Sequence, residues 1–127
     1  MKVQYSLFCL GYDESKGAPT FQFVVHELPL GPYPHTFPDG SGLFWVNGLS
    51  EVSAISRLRL KMSAPGGQAL FEQALPVQPE EGGNRVLSVA FLEGLTFPSA
   101  GTYVAEVWDE SGLLAQHTLE AIEVEIQ

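Results

Sequence analysis

Histidine is the side chain best suited to general acid–base catalysis or metal binding near neutral pH, and this chain has His26, His35 and His117. Glu27 follows His26, but neighbouring residues of a strand point to opposite faces, so these two side chains do not meet. No H-x-H or H-x-x-E-H spacing occurs. A shared site needs long-range convergence that the sequence does not reveal, and we expect each imidazole to be solvated or satisfied in the core.

Cys9 is the only cysteine and cannot form an intramolecular disulfide. A catalytic thiolate needs a nearby cation or a helix N-terminus to lower its pKa, and only Lys2 is close in sequence. Because Cys9 lies in the apolar run VQYSLFCL, the sequence predicts a buried, reduced thiol, which is typical of cytoplasmic proteins. No G-x-S-x-G, CxxC or phosphate-binding loop occurs, so no catalytic or cofactor-binding residue is predicted.

Acidic residues occur as pairs in predicted turns, namely Asp13 and Glu14, Glu80 and Glu81, and Asp109 and Glu110. Calcium takes roughly six to eight oxygen ligands around one point. None of the pairs has the D-x-D pattern that would supply these oxygens locally. No metal ligand is predicted.

Four aromatic residues flank or lie in a proline-rich segment, residues 29–42: Tyr33, Phe37, Phe44 and Trp45. An exposed aromatic loop on a rigid β-sandwich is a common contact surface of binding modules. Rings that seal one end of the sandwich have the same sequence signature. The four residues therefore form either a binding surface or a lid on the core.

Composition limits the function further. The chain of 127 residues fits one domain, residues 1–127, and its scattered 13 Gly and 9 Pro are typical of short strands and many turns. The net charge of −9 repels polyphosphates and anionic surfaces, so neither nucleic acid nor a membrane is an expected partner. The start lacks the cleavage site of a secretion signal, and we expect a cytoplasmic protein.

A period of two residues predicts about eight strands and no helix. The clearest alternation spans residues 54–64, where one parity is apolar and the other is a basic strip formed by Arg57, Arg59 and Lys61. Glu72 on the returning strand is an expected cross-strand partner of this strip.

Other strands carry more specific expectations. A strand at residues 21–28 forms a hairpin with the first strand. The prolines of residues 29–42 exclude a helix or a central strand there and predict either a long ordered loop or a crossover between the two sheets. In the last strand, residues 113–126, the apolar parity changes near Ala121, which predicts either a bulge or two consecutive strand pieces in different sheets. In the strand before the corner we predict three inward residues: Leu87, Val89 and Phe91.

The corner itself carries the fold prediction. Gly101 and Tyr103 resemble the tyrosine corner of immunoglobulin-like sandwiches, where a Tyr at the start of a late strand packs inward and its hydroxyl binds backbone a few residues upstream. Ala105 stands where an antibody domain has its second cysteine, so the resemblance implies the sandwich without the disulfide. The predicted fold is an all-β, immunoglobulin-like antiparallel β-sandwich.

Two segments of the chain, taken together, also resemble one family. The chain begins with MKVQYSLFC, and a later segment is LEGLTFPSAGTY. The pair is similar to an uncharacterised family of short bacterial proteins. The resemblance implies a β-sandwich and transfers no catalytic residue.

These observations favour a non-enzymatic β-sandwich that acts through protein contacts, including self-association through an unprotected strand edge such as that of the first or last strand. One alternative is a small-ligand or carbohydrate-binding sandwich that uses the aromatic residues between Tyr33 and Trp45. Another is a hydrolase with long-range histidine and aspartate partners. No cofactor is predicted.

Overall fold

The computed structural model describes residues 1–15, 17–79 and 82–124. They form β1 (Lys2–Asp13), β2 (Thr20–Val25), β3 (Glu27–Leu30), β4 (His35–Thr36), β5 (Gly42–Ser50), β6 (Ser56–Ser63), β7 (Ala69–Val77), β8 (Val86–Glu93), β9 (Thr96–Phe97), β10 (Gly101–Asp109) and β11 (Gly112–Glu123). The eight longer strands are those expected from periodicity, and β3, β4 and β9 are short additions. None of the described residues forms a helix, so none of them supplies a helix long and apolar enough to cross a membrane.

Two sheets face each other across the core. One has four strands in the order β2-β1-β5-β8, and the other has five in the order β3-β11-β10-β6-β7. Neighbouring strands are antiparallel except β3 and β11, and β4 and β9 form a separate pair. With strands distant in sequence adjacent in each sheet, the molecule is an all-β, immunoglobulin-like sandwich, as predicted.

The tyrosine corner is confirmed. The Tyr103 side chain is fully buried at the start of β10, and its hydroxyl donates a hydrogen bond to the Ser99 carbonyl at 2.6 Å. Gly101 has φ of 139°, and a Cβ there would lie 2.8 Å from Cγ of Pro65. Glycine is therefore required at this turn both by backbone conformation and by space.

One predicted strand is divided between the sheets. Residues 21–28 break at His26, so that β2 pairs with β1 while β3 runs parallel to β11 in the opposite sheet. The short connection between β2 and β3 therefore links the two sheets at this side of the sandwich. The predicted exclusion of a helix and of a central strand holds for residues 29–41, and β5 begins at Gly42. Of the two predicted alternatives the structure fits the crossover, because β3, which includes Pro29, is an edge strand of the opposite sheet. A proline fits there since β3 is an edge strand and needs no donor on its outer side.

The orientation of β8 is opposite to the prediction. Its buried residues are Ser88, Ala90 and Leu92, so Leu87, Val89 and Phe91 point to the outer face. Ala90 pairs with Trp45 of β5, and the indole fills the inner space that large residues of β8 would otherwise take.

The bulge expected near Ala121 is also absent from that position. Leu119 and Ala121 both face the core in an uninterrupted β11, and Ile122 is turned outward. The register shift of this hairpin instead lies between Val107 and Trp108 of β10.

Candidate functional site

The four aromatic residues predicted to act together do not form one surface. Trp45 is 0% exposed and packs against Phe8 in the core, with ring centroids 4.9 Å apart. The Trp45 indole N–H donates a hydrogen bond to the Ser6 hydroxyl at 3.0 Å. Of the two alternatives, binding surface or core, Trp45 belongs to the core, because strand alternation turns Trp45 inward and Phe44 outward.

Tyr33 and Phe37 act as a lid on the core. The Tyr33 hydroxyl donates to the carbonyl of Ile122 at 3.0 Å, and burial raises the pKa of this phenol. Phe37 meets Phe97 edge to face at 5.8 Å. Of the four predicted residues, only Phe44 lies on an outer sheet face.

Phe44 belongs to a larger cluster that the sequence did not reveal. Ring contacts run from Tyr5 to Phe21, Tyr12, Phe44 and Phe91 with centroid distances of 4.7–6.3 Å. Tyr5 and Phe91 remain 43% and 42% exposed. Burial, together with a hydrogen bond that the hydroxyl donates to Glu14, raises the pKa of Tyr12 to about 12. We call these five residues the aromatic cluster.

The outer face of the four-stranded sheet is apolar beyond the aromatic cluster. Registered neighbours on β1, β5 and β8 share this face: Leu7, Cys9, Val46, Gly48, Leu87 and Val89. Cys9 and Val46 are both 0% exposed although no further sheet covers them. A Cβ on Gly48 would lie 2.3 Å from the Tyr5 ring, so the glycine lets that ring lie flat on the sheet.

The edges of the two sheets were placed incorrectly from sequence. The first strand lies between β2 and β5, and the last lies beside β10 with β3 along its Glu120–Glu123 end. The uncovered part of β11 lies near β1, where His117 Nε2 is 2.9 Å from Ser6 Oγ. The four edge strands are β2, β8, β3 and β7.

Three of these four edges carry features that hinder pairing with another chain. β2 contains Phe23 at φ of 57°, β3 contains Pro29, and β7 contains Glu72 and Pro76. β8 has no charge or proline between Val86 and Leu92, and it pairs with β5 without a register shift. β8 is therefore the unprotected edge of the described strands.

Within the part of the chain that the structure describes, no histidine forms a hydrogen bond or an ion pair with an acidic side chain. Among the described residues, the one side-chain hydrogen bond of a histidine joins His117 to Ser6, and no group of three or more His, Cys, Asp or Glu is placed to hold a metal ion. Burial lowers the pKa of His117 and raises that of the Cys9 thiol. Burial of Cys9, as predicted, thus disfavours the thiolate.

In the two acidic turns that the structure describes, an aspartate carboxylate accepts hydrogen bonds from a serine of the same turn. Glu80 and Glu81 lie outside the described residues. Asp13 accepts hydrogen bonds from the N–H and hydroxyl of Ser15, and Asp109 accepts the equivalent pair from Ser111. These bonds lower the pKa of both carboxyl groups. The carboxylate oxygens of Asp13 and Asp109 therefore stabilise tight turns.

The basic strip lies on the outer face of the five-stranded sheet. Glu72 is its cross-strand partner as predicted, with Oε1 3.9 Å from Arg59 Nε. The Arg59 guanidinium also lies 5.3 Å from the centre of the Trp108 ring. A groove of about 560 Å³ runs beside them along the turn after β10. Opposite charges neutralise much of this face.

No family model matches this chain, and no curated protein is similar to it. Its structure is similar to the crystal structure of an immunoglobulin-like protein from Pseudomonas aeruginosa, with 13% identity over 95% of each chain and a TM-score of 0.47. So distant a likeness assigns no role to any residue. The resemblance to a family of short bacterial proteins stays a prediction.

Proposed function

We propose that this protein is a non-enzymatic assembly module that associates with itself through the β8 side of its four-stranded sheet. The observation that carries the proposal is β8 itself, a strand whose edge is unprotected and whose outward side chains, Leu87, Val89 and Phe91, are apolar. An unpaired strand edge presents free N–H and C=O groups to any other extended chain. The same edge of a second copy supplies a matching set.

The outer face supports the same conclusion. Tyr5 and Phe91 lie at the two ends of the aromatic cluster and are each about half exposed. In an isolated chain these two rings are in contact with water. Aromatic residues are enriched at protein interfaces because they bury a large area with few rotatable bonds. A contact at β8 would cover the Phe91 end of the cluster.

Light scattering during size-exclusion chromatography over a concentration series tests the proposal. We expect a mass that rises towards that of a dimer with concentration, and a monomer for Val89→Lys, because the ammonium would lie at the contact. Val104→Lys is the matched control, since Val104 is a half-buried valine on the outer face of the other sheet. A monomeric wild type at every concentration contradicts self-association.

A second candidate, small-ligand binding, is favoured by one groove. Leu10, Phe37, Phe44 and Phe91 surround about 470 Å³ beside the 40–42 turn, a volume within the usual range of ligand sites. Planar apolar compounds or sugar rings that stack on aromatic faces suit this lining.

A thermal-shift screen with such compounds tests the second candidate. We expect Phe37→Ala to abolish a ligand-induced rise in melting temperature, because the Phe37 ring lines the groove. Leu113→Ala is the control, since Leu113 is exposed on β11 and does not line the groove. A shift that survives Phe37→Ala places the ligand elsewhere.

A further inference from the structure

β8 is bounded by charges of opposite sign. Arg85 immediately precedes the strand and Glu93 ends it, while the seven residues between them carry no charge. Both charged residues are exposed and share the parity of outward-facing Leu87, Val89 and Phe91. The strand is thus a neutral apolar segment with a cation at one end and an anion at the other.

We infer that two copies pair antiparallel through β8 about a two-fold axis at Val89, joining their four-stranded sheets into one continuous sheet. The inference rests on the self-association proposed above and names its geometry. Directly opposite residues of an antiparallel pair face the same side of the sheet. With Val89 opposite the partner's Val89, Leu87 lies opposite the partner's Phe91, and Arg85 lies opposite the partner's Glu93.

Charge complementarity selects this register. Moving the axis to Ser88 would place Arg85 opposite the partner's Phe91, and moving it to Ala90 would place Glu93 opposite the partner's Leu87. The axis at Val89 pairs both charges with their opposites, twice, and leaves no like charges facing each other along the strand. Because the net charge is −9, keeping acidic groups of the two copies from facing each other matters more than in a neutral protein.

The side chains at the two ends are available for these pairs. One oxygen of Glu93, Oε1, accepts the N–H of Gly40 at 3.0 Å, which fixes the carboxylate at the strand end and leaves the second oxygen for an arginine. Arg85 has no ion pair within the described residues. Exposed pairs of this kind contribute little to affinity, so their role is to set register.

The apolar side chains gain from the same arrangement. Phe91 already packs against Phe44 with ring centroids 4.7 Å apart, and the partner's Leu87 would cover the exposed part of the Phe91 ring. The aromatic clusters of the two copies would then flank the axis on one face of the joined sheet.

Cysteine cross-linking tests the register. We expect Val89→Cys to form a disulfide-linked dimer on mild oxidation, because directly opposite strand residues have Cα atoms about 4.5–5.5 Å apart, within disulfide range. Leu87→Cys and Phe91→Cys should each fail to link alone and should link when mixed. The parent chain, whose Cys9 is fully buried, and Val104→Cys are the controls.

Charge reversal tests the same register without sulfur chemistry. Arg85→Glu should weaken the dimer by about threefold to thirtyfold in sedimentation equilibrium, since it places like charges opposite each other twice. Arg85→Glu combined with Glu93→Arg should restore affinity, with circular dichroism confirming that each variant is folded.

The outcomes separate the two proposals. A wild type that stays monomeric overturns both. A dimer in which Leu87→Cys and Phe91→Cys fail to link on mixing, or in which the double charge reversal does not restore affinity, overturns the register and leaves self-association intact.

Discussion

The outer faces of the two sheets differ in composition, one being charged and the other apolar. On the five-stranded sheet, Lys61 pairs in register with Glu72 on one side and Glu106 on the other, as expected of a face that meets water. On the four-stranded sheet, Val46 and Cys9 point to the outer face and are fully buried, although none of the described strands forms a sheet over that face. The comparison shows that residues on the outer face of a sheet can be fully buried without a further sheet over them, and the aromatic cluster on this face is the feature that the other outer face lacks.

Substitutions in the core between the two sheets should give the largest losses of unfolding free energy, with which changes on the outer faces can be compared. Tyr103→Ala should lower the free energy of unfolding by about 3–5 kcal/mol, because a large buried ring is lost. Tyr103→Phe should cost about 0.5–1.5 kcal/mol, since it keeps the ring and removes only the hydroxyl, which donates to the Ser99 carbonyl and accepts from the Ser99 N–H. Urea denaturation measures both. Equal, negligible losses would show that the corner contributes nothing to stability.

The sharpest test of the difference between the faces is the same substitution on each. Val46→Lys should destabilise the monomer by about 3 kcal/mol or more, because a fully buried site receives a charge. Val104→Lys should change stability by no more than about 0.5 kcal/mol, since a half-buried lysine extends its ammonium into water. Similar losses in urea denaturation would remove the distinction between the two faces.

His117 on the five-stranded sheet points towards Ser6 of the other sheet, and its burial predicts a pH effect on stability. Burial, and to a lesser extent the charge of His26, lowers the pKa of His117 below that of an unfolded chain. The folded protein then binds fewer protons, so its stability should fall as pH drops through about 6.5 and level off below the folded pKa. His117→Gln should flatten this part of the profile in urea titrations at several pH values. Identical profiles for variant and wild type would exclude His117 as the cause.

The smallest expected effects lie on the charged face. Arg59→Gln should cost less than about 1 kcal/mol in urea denaturation, because the contacts of Arg59 with Glu72 and Trp108 are largely exposed to solvent. Lys61→Gln is the matched change one position along the strip. A loss comparable with that of Val46→Lys would show that this face is a tightly packed surface.

The fold was predictable where one parity of a strand was apolar and the other was charged. In β6 the basic strip determined which side faced water, and Leu58, Leu60 and Met62 are fully buried. Tyr103 was predictable because its corner depends on local residues. Both signals are carried by neighbours in the sequence.

The candidate site was less predictable because both parities of the relevant strands are apolar. In β8, hydrophobicity alone does not distinguish Leu87, Val89 and Phe91 from Leu92 and Ala90. The useful signal was size, since small Ala90 lies opposite Trp45. Strand order could not be predicted from periodicity either. The position of β8 at an edge depends on pairings between residues about forty positions apart, as in Gly48 with Leu87.

The location of the one thiol has a practical consequence. Cys9 lies opposite Phe44 in the register of β1 and β5, on the outer side of the sheet, and is completely shielded. A thiol-reactive reagent can modify it only when the residues that shield it move aside or the chain unfolds. Its alkylation rate therefore serves as a built-in gauge of how often this layer opens, without adding a label to the protein.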